Sequence, residues 1–131
     1  MIYGVGTDLI EIGRIERVLK RFGDRFARRI LCEPELKRFR AHKQPVAYLA
    51  KRFAAKEAFT KALGTGIHAP ANWHGVWVNN LRSGKPVLDF SPALRELLEA
   101  RGIRCSHLSL SDEREMASAI VILEIDPGTG V

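Results

Sequence analysis

The segment over residues 53–61 combines apolar, acidic and basic side chains at helical spacing. Phe53, Glu57 and Lys61 are four residues apart, so on an α-helix all three lie on one face. The same spacing is typical of an exposed Glu–Lys helix pair, which adds only about 0.2–0.5 kcal/mol. Small residues surround the three and allow a second element to pack closely against this helix: Ala54, Ala55, Ala58 and Ala62.

A second carboxylate, Asp8, follows the glycine-rich residues Gly4 and Gly6, where we expect a short strand over residues 2–7 to end. An acid at this position can point into a crevice, although it also suits the N-cap of the next helix. If Asp8 and Glu57 converge, they form an all-oxygen site suited to Mg²⁺, which one or two carboxylates hold together with water and substrate phosphates. The sequence offers no Cys or His cluster as a softer metal site.

The elements that position these groups follow from periodicity and turn residues. A helical pattern begins near Glu11 and breaks at Gly23-Asp24. Proline opens a short helix over residues 34–40 and a long one over residues 45–63, after which Gly64 suits a C-cap. Further strands are expected at residues 73–79, 87–90, 104–111 and 116–125, with a helix over residues 92–101 between the second and third. These elements predict one α+β domain over residues 1–125 and a flexible tail over residues 126–131.

Two stripes run along the first helical segment, and they predict opposite surroundings. The apolar stripe, expected to face the core, comprises Ile12, Ile15, Leu19, Phe22 and Phe26. The basic stripe comprises Arg14, Arg17, Arg21, Arg25 and Arg28. Residues 1–63 carry 15 Lys and Arg against 7 Asp and Glu, whereas residues 64–131 carry 6 against 8. The basic half predicts an anionic partner, which is a nucleic acid, a membrane, a phosphate-rich ligand or an acidic protein.

Composition excludes several classes of protein. A chain of 131 residues with 46% hydrophobic and 27% charged residues is typical of one globular domain rather than a disordered or fibrous protein. Its apolar runs are far shorter than the roughly 20 residues of a membrane span, and its amino end does not resemble a signal peptide. Two cysteines are too few for a disulfide framework. We therefore expect a cytoplasmic protein.

Considered together, the segments over residues 5–8 and 53–61 resemble the two signature segments of the 4′-phosphopantetheinyl transferase superfamily. Residues 61–66, the Gly84-Lys85-Pro86 turn, residues 107–111 and the strand over residues 117–124 are similar to its holo-acyl-carrier-protein synthase group. The resemblance spans about residues 2–124 and implies an antiparallel sheet packed on a long central helix. The chain departs from the group outside the acid pair, at positions that bear on the coenzyme pocket wall and subunit packing: Gly75, Trp77 and Asp112.

The resemblance implies a magnesium-dependent transfer of the 4′-phosphopantetheine arm of coenzyme A to a serine of an apo acyl carrier protein. Adenosine 3′,5′-bisphosphate is the second product. Asp8 and Glu57 would hold Mg²⁺ against the pyrophosphate, and Lys61 would place its ammonium there. Glu57, or a metal-bound water, would accept the serine proton. The implied coenzyme contacts are Arg52, Gly64, Lys85, Pro86 and His107.

The same resemblance implies how the chain meets its partners. Arg14 and Arg21 match the basic positions that dock the acidic carrier protein, which favours a fast, salt-sensitive encounter. A homotrimer is implied, with each active site at a subunit interface. The carrier protein would serve fatty acid or polyketide biosynthesis.

Two alternatives remain open at this point. The basic half could belong to a non-enzymatic nucleic-acid-binding module, but Phe22 and Phe26 lie on the apolar stripe instead of alternating with basic residues as stacking platforms. No nucleic-acid-binding motif is present either. The acid pair could also serve a magnesium-dependent phosphodiesterase with water as its nucleophile. That enzyme would hydrolyse phosphate esters without a carrier protein.

Overall fold

Five helices and five strands form an α+β arrangement over residues 1–126, the part of the chain that this computed structural model describes. The expected tail lies outside the described residues except for Asp126. In chain order the elements are β1 (Ile2–Glu11), α1 (Ile12–Phe22), α2 (Asp24–Ile30), α3 (Glu33–Ala41), α4 (Pro45–Leu63), β2 (Val76–Asn80), β3 (Pro86–Phe90), α5 (Pro92–Ala100), β4 (Ile103–Asp112) and β5 (Met116–Ile125).

The strands form two antiparallel sheets. The larger has the order β1-β5-β4, and the smaller is the hairpin of β2 and β3. The expected α+β class, with antiparallel strands on a long helix, is confirmed. Residues of β1 alternate between the two faces of the larger sheet, and the even-numbered residues from Gly4 to Ile10 point towards α4.

Helix α4 packs directly on β1 because neither element has a bulky side chain at the contact. A Cβ on Gly6 would lie 1.8 Å from the carbonyl oxygen of Ala58, and one on Gly4 would lie 2.0 Å from that of Ala62. Only glycine facing alanine permits this approach. At 19 residues, α4 is the longest described helix, yet among residues 1–126 no helix is long and apolar enough to cross a bilayer.

Helix boundaries agree with the turn residues, whereas two strands differ from expectation by more than one residue. Gly23 and Gly64 adopt positive φ angles of 64° and 88° at the predicted helix ends. Strand β1 continues to Glu11 because β5 pairs with it as far as Met116. Strand β2 begins only at Val76, so the predicted start at residue 73 is wrong.

Because β1 is longer than predicted, the environment of Asp8 differs from the prediction. Asp8 lies inside the strand, where it pairs with Ala119 of β5, and not at the strand's end. The N-cap position of α1 is occupied by Glu11. The alternative role of Asp8 as a helix N-cap is therefore wrong.

The apolar stripe of the first two helices is buried only in part. Ile15 is 2% exposed, whereas Phe22 is 45% exposed. Phe22 is the last residue of α1, just before the turn at Gly23, and its ring lies under the guanidinium of Arg21 at 5.2 Å. Phe26 is half-buried and packs 6.5 Å from Phe53, ring centre to ring centre. Placing Phe22 in the core was thus wrong.

Candidate active site

The contact between β1 and α4 brings three predicted site residues together. Asp8 follows Gly6 on the face of β1 that points to the helix, and α4 supplies Glu57 and Lys61 from one of its faces. The Nζ atom of Lys61 donates to Oδ1 of Asp8 at 3.1 Å and to the carbonyl oxygen of Thr7 at 3.0 Å. Lys61 therefore pairs across the β1–α4 contact and not with Glu57 as an isolated helix pair.

The carboxyl of Glu57 is affected by its surroundings, including Asp8. Burial raises the pKa of Glu57, and the negative charge of Asp8 raises it further, while Lys61 and Arg14 act in the opposite direction. A half-buried carboxyl beside a second carboxylate favours a cation between them. The residues fit Mg²⁺, because two carboxylates with room for water and phosphate oxygens are its usual protein ligands. Within residues 1–126 no cluster of three or more His, Cys, Asp or Glu side chains offers an alternative metal site.

A cleft of about 510 Å³ opens beside Asp8 and Lys61. It extends from the edge of β1 across the outer face of the sheet, away from α4. Its wall is largely polar. Hydroxyl side chains line most of it, beside two large apolar side chains and one alanine: Thr7, Ser109, Ser111 and Ser118, then Leu9 and Ile120, then Ala119.

Arg52 belongs to a second cluster, at the β2–β3 hairpin. It is 5% exposed, and its guanidinium lies 4.1 Å from the ring centre of Tyr48. Its Nη2 atom and Nη1 of Arg38 both donate to Oδ1 of Asn80 at 2.9 Å, and Nε of Arg52 is buried without a partner. Burial lowers the pKa of Arg52. Two guanidinium groups that share one neutral oxygen favour an anionic ligand.

The hairpin turn places Lys85 and Pro86 beside this cluster. Nδ2 of Asn80 donates to the carbonyl oxygen of Gly84 at 3.0 Å, and Asn80 pairs with Pro86 across the hairpin. Arg52, however, projects from α4 about 140° around the helix axis from Glu57. The arginine cluster and the acid pair therefore face different sides of one chain.

His107 lies in a third location. It is exposed on the outer face of β4, where its Nε2 atom contacts Oε1 of Glu124. Because β4 is two strands from β1, about 10 Å away, and Asp8 points to the opposite face, His107 does not reach the acid pair within one chain. Gly64, in contrast, follows Lys61 by one turn at the end of α4.

The basic stripe is exposed as predicted. Arg14 and Arg21 project from α1 into solvent, and Arg14 is close enough to Glu57 to oppose the rise of its pKa. Neither arginine has a carboxylate within 4 Å among residues 1–126. Through Arg14, this basic surface adjoins the acid pair.

Reasoning from the sequence missed one feature beside the site. Lys56 is completely buried and bonded to the buried Glu35. The neighbouring Ala55 and Ala58 indicate that this side of α4 is packed, but the acceptors of Lys56 lie on distant segments that the sequence of α4 does not indicate.

Comparisons with known proteins show what the chain as a whole is similar to. A family model described as "4′-phosphopantetheinyl transferase superfamily" matches residues 4–119. The holo-acyl-carrier-protein synthase of Nitrosospira multiformis is 50% identical over 124 residues, which cover 95% of this chain and 99% of that protein.

Solved structures give the same result. The crystal structure of holo-acyl-carrier-protein synthase from Neisseria meningitidis superposes with a TM-score of 0.92 at 48% identity, covering 95% of this chain and 99% of that one. A Bacillus anthracis holo-acyl-carrier-protein synthase in complex with coenzyme A (3′,5′-ADP) gives 0.81 at 39% identity, covering 96% and 99%.

Proposed function

The chain belongs to the holo-acyl-carrier-protein synthase family of phosphopantetheinyl transferases, and from this premise we propose its reaction in detail. It transfers the 4′-phosphopantetheine arm of coenzyme A to a serine hydroxyl of an apo acyl carrier protein and releases adenosine 3′,5′-bisphosphate. The observation that carries the proposal is the convergence of Asp8, Glu57 and Lys61 where β1 meets α4.

Asp8 and Glu57 are the residues that would hold Mg²⁺. When bound, the ion supplies charge neutralisation at the pyrophosphate and polarises the phosphorus under attack. Lys61 turns its ammonium towards the same place, and three donors on a flexible stem suit a pyrophosphate oxygen. In phosphoryl transfer most of the catalysis is positioning and charge stabilisation, and these three side chains provide both.

Glu57 is also suited to accept the serine proton. Its carboxylate lies near Arg14, on the surface where the carrier would dock, so its position places it within reach of the serine hydroxyl. As the serine oxygen forms its bond to phosphorus, its proton passes to Glu57. The bond from phosphorus to the bisphosphate breaks, and Lys61 stabilises the charge left on that oxygen.

The coenzyme would span two subunits. Arg52, Lys85, Pro86 and His107 do not face the acid pair of their own chain, so they would complete the pocket of a neighbour in a homotrimer. Gly64 would allow the coenzyme to approach the end of α4. The outer face of the sheet supports such an association, because it exposes the apolar side chains of Val5 (51%), Leu9 (66%) and Ile120 (39%).

The carrier protein would dock on the basic stripe. Arg14 and Arg21 are exposed, and Arg14 lies near Glu57, so an acidic carrier bound there presents its serine to the acid pair. We place the enzyme in the cytoplasm and in fatty acid or polyketide biosynthesis, where carrier proteins need this prosthetic group. The catalytic domain comprises residues 1–125.

Intact-mass analysis of an apo acyl carrier protein tests the reaction. After incubation with the enzyme, coenzyme A and Mg²⁺, the carrier gains the mass of one phosphopantetheine group. EDTA, Asp8→Asn and Glu57→Gln each abolish the gain, whereas the matched control Glu96→Gln, an exposed acid on α5, retains it. No gain with several carrier proteins would refute the transfer. Cleavage of coenzyme A without a carrier would indicate a phosphodiesterase instead.

A further inference from the structure

The buried ion pair of Lys56 and Glu35 has no part in the reaction proposed above. The two side chains are 0% and 1% exposed, and Nζ of Lys56 lies 2.7 Å from Oε1 of Glu35. The ammonium also donates to the carbonyl oxygen of Ile30 at 2.6 Å and to that of Trp73 at 2.7 Å. All three donors of Lys56 are therefore used, and each binds a different segment of the chain.

The carboxylate of Glu35 is satisfied in the same way. Oε1 accepts the backbone N–H of Cys32 at 2.9 Å, and Oε2 accepts that of Val78 at 2.8 Å. A buried ion pair is often no more stabilising than apolar side chains of similar volume. The distinctive property of this pair is thus geometric, because it fixes the end of α2, the start of α3, the loop before β2 and β2 itself to α4.

An aromatic row next to the acid pair is formed by Phe26, Phe53 and Trp73, and two of the fixed segments carry its outer rings. The rings of Phe26 and Trp73 lie on either side of Phe53, with centre-to-centre distances of 6.5 Å and 5.0 Å. Phe53 precedes Glu57 by one turn on the same face of α4. Lys56 holds the carbonyl of Trp73 and that of Ile30, the last residue of the helix that carries Phe26. All three rings are partly exposed.

We propose that Lys56, paired with Glu35, is a positioning residue for the carrier protein. By fixing Phe26 and Trp73 against Phe53, it sets the position of the aromatic surface beside Glu57. The serine-bearing part of the carrier contacts this surface. The inference depends on the proposed transfer to a carrier protein. It assigns Lys56 no contact with the coenzyme, whose basic contacts are held by Asn80 and the β2–β3 turn.

Kinetics of the double variant Lys56→Met with Glu35→Gln test this role. The variant removes both charges together, and the side-chain amide introduced at position 35 still offers an oxygen to the N–H of Val78, which keeps β2 in place. We expect the KM for the carrier protein to rise about tenfold, the size of effect that loss of a well-positioned aromatic contact in an interface produces. The KM for coenzyme A stays within about twofold of the wild-type value.

A purely structural role predicts a different result. Loss of stability lowers the fraction of active enzyme, which reduces the apparent kcat and leaves both KM values unchanged. Leu98→Ala is the matched control, since it removes a buried side chain from α5, far from the aromatic row. An unchanged carrier KM in the double variant, or an equal rise in both KM values, would overturn the proposal.

A second variant tests the aromatic row if the double variant does not fold. Trp73→Leu leaves the ion pair intact and removes the ring that stacks on Phe53. A selective rise in the carrier KM supports the contact between the aromatic row and the carrier on which the role of Lys56 depends, and wild-type KM values overturn the proposal. The wild-type enzyme serves as the reference in every assay. If it transfers nothing to any carrier, the proposed function fails before the role of Lys56 is tested.

Discussion

A methyl group on Gly6 would occupy space that the backbone of α4 already fills. The Cβ of a Gly6→Ala variant would lie 1.8 Å from the carbonyl oxygen of Ala58 and 2.7 Å from the backbone nitrogen of Ala62. Carbon–oxygen contacts in proteins settle near about 3.3 Å, so β1 and α4 must separate by about 1.5 Å. No side-chain rotation relieves this clash, because the atoms in contact are main-chain atoms.

The expected losses follow from this separation. Overpacking costs about 1–3 kcal/mol. Because the clash is with backbone atoms, we expect Gly6→Ala to lower the free energy of unfolding by about 3 kcal/mol. Asp8 lies two residues further along the same strand face, so its carboxylate moves away from Glu57 and Lys61. A misplacement of about 1 Å can reduce the rate about 100-fold, equivalent to ~2.7 kcal/mol of activation free energy.

Urea denaturation and steady-state kinetics measure the two losses separately. The kinetics are run at a temperature at which circular dichroism shows the variant to be folded. Gly13→Ala is the matched control, since its Cβ meets only Nη1 of Arg17 at 3.5 Å, an ordinary contact. We expect that control to gain about 0.5 kcal/mol and to keep its activity. Wild-type stability in Gly6→Ala would refute the close-packing argument. Full activity in a destabilised variant would mean that Asp8 is positioned by other contacts.

Charge and burial lead to three further expected outcomes. Replacing Arg14 and Arg21 with Glu raises the KM for the carrier and makes that KM depend less on NaCl concentration, because salt screens the attraction between exposed charges. An unchanged dependence of the KM on NaCl would contradict docking of the carrier on these arginines. In metal-free protein, carboxyl NMR of Asp8→Asn should show Glu57 titrating at lower pH than in the wild type, because one cause of its raised pKa is gone. Since its folded pKa exceeds the unfolded one, the stability that protonated Glu57 adds is complete at low pH and is lost as pH rises through the folded value. Burial raises the pKa of Cys32 to about 11, so iodoacetamide at neutral pH should modify Cys32 more slowly in native than in unfolded protein, as followed by mass spectrometry.

Features that depend on a residue's own backbone could be predicted from the sequence. Proline at position 45 and glycine at position 64 act locally, and α4 begins and ends beside them. The approach of Asp8 to Glu57 was also predictable in outline, because glycine in one element and alanine in the other allow close packing. Periodicity placed Glu57 and Lys61 on one face of α4, but that spacing fits an exposed helix pair equally well and did not by itself identify a site.

Features that depend on distant partners could not be predicted in this way. The end of β1 is set by pairing with Met116, more than a hundred residues along the chain. Lys61 pairs with Asp8 because the β1–α4 contact brings the two together, whereas helical spacing pointed only to Glu57. Lys56 is buried because Ile30, Glu35 and Trp73 supply three acceptors, and nothing local to α4 indicates them.

The separation of Arg52 and His107 from the acid pair leads to a last prediction. If one coenzyme contacts all of these residues, a monomer contains parts of several sites and no complete one. The exposed apolar side chains of the outer sheet face lie on the same side as His107, so the association that covers Val5 and Leu9 also brings His107 towards a neighbour. Assembly then creates the active site in addition to stabilising the fold.

Specific activity should consequently fall on dilution as the oligomer dissociates, and light scattering on the same samples should give the same midpoint. Val5→Lys, on the exposed face of β1, places a charge at the interface and should move both midpoints to higher protein concentration together. Glu96→Gln, remote from that face, should move neither. Constant specific activity in samples that light scattering shows to be monomeric would mean that one chain holds a complete site, and that Arg52 and His107 do not contact the coenzyme.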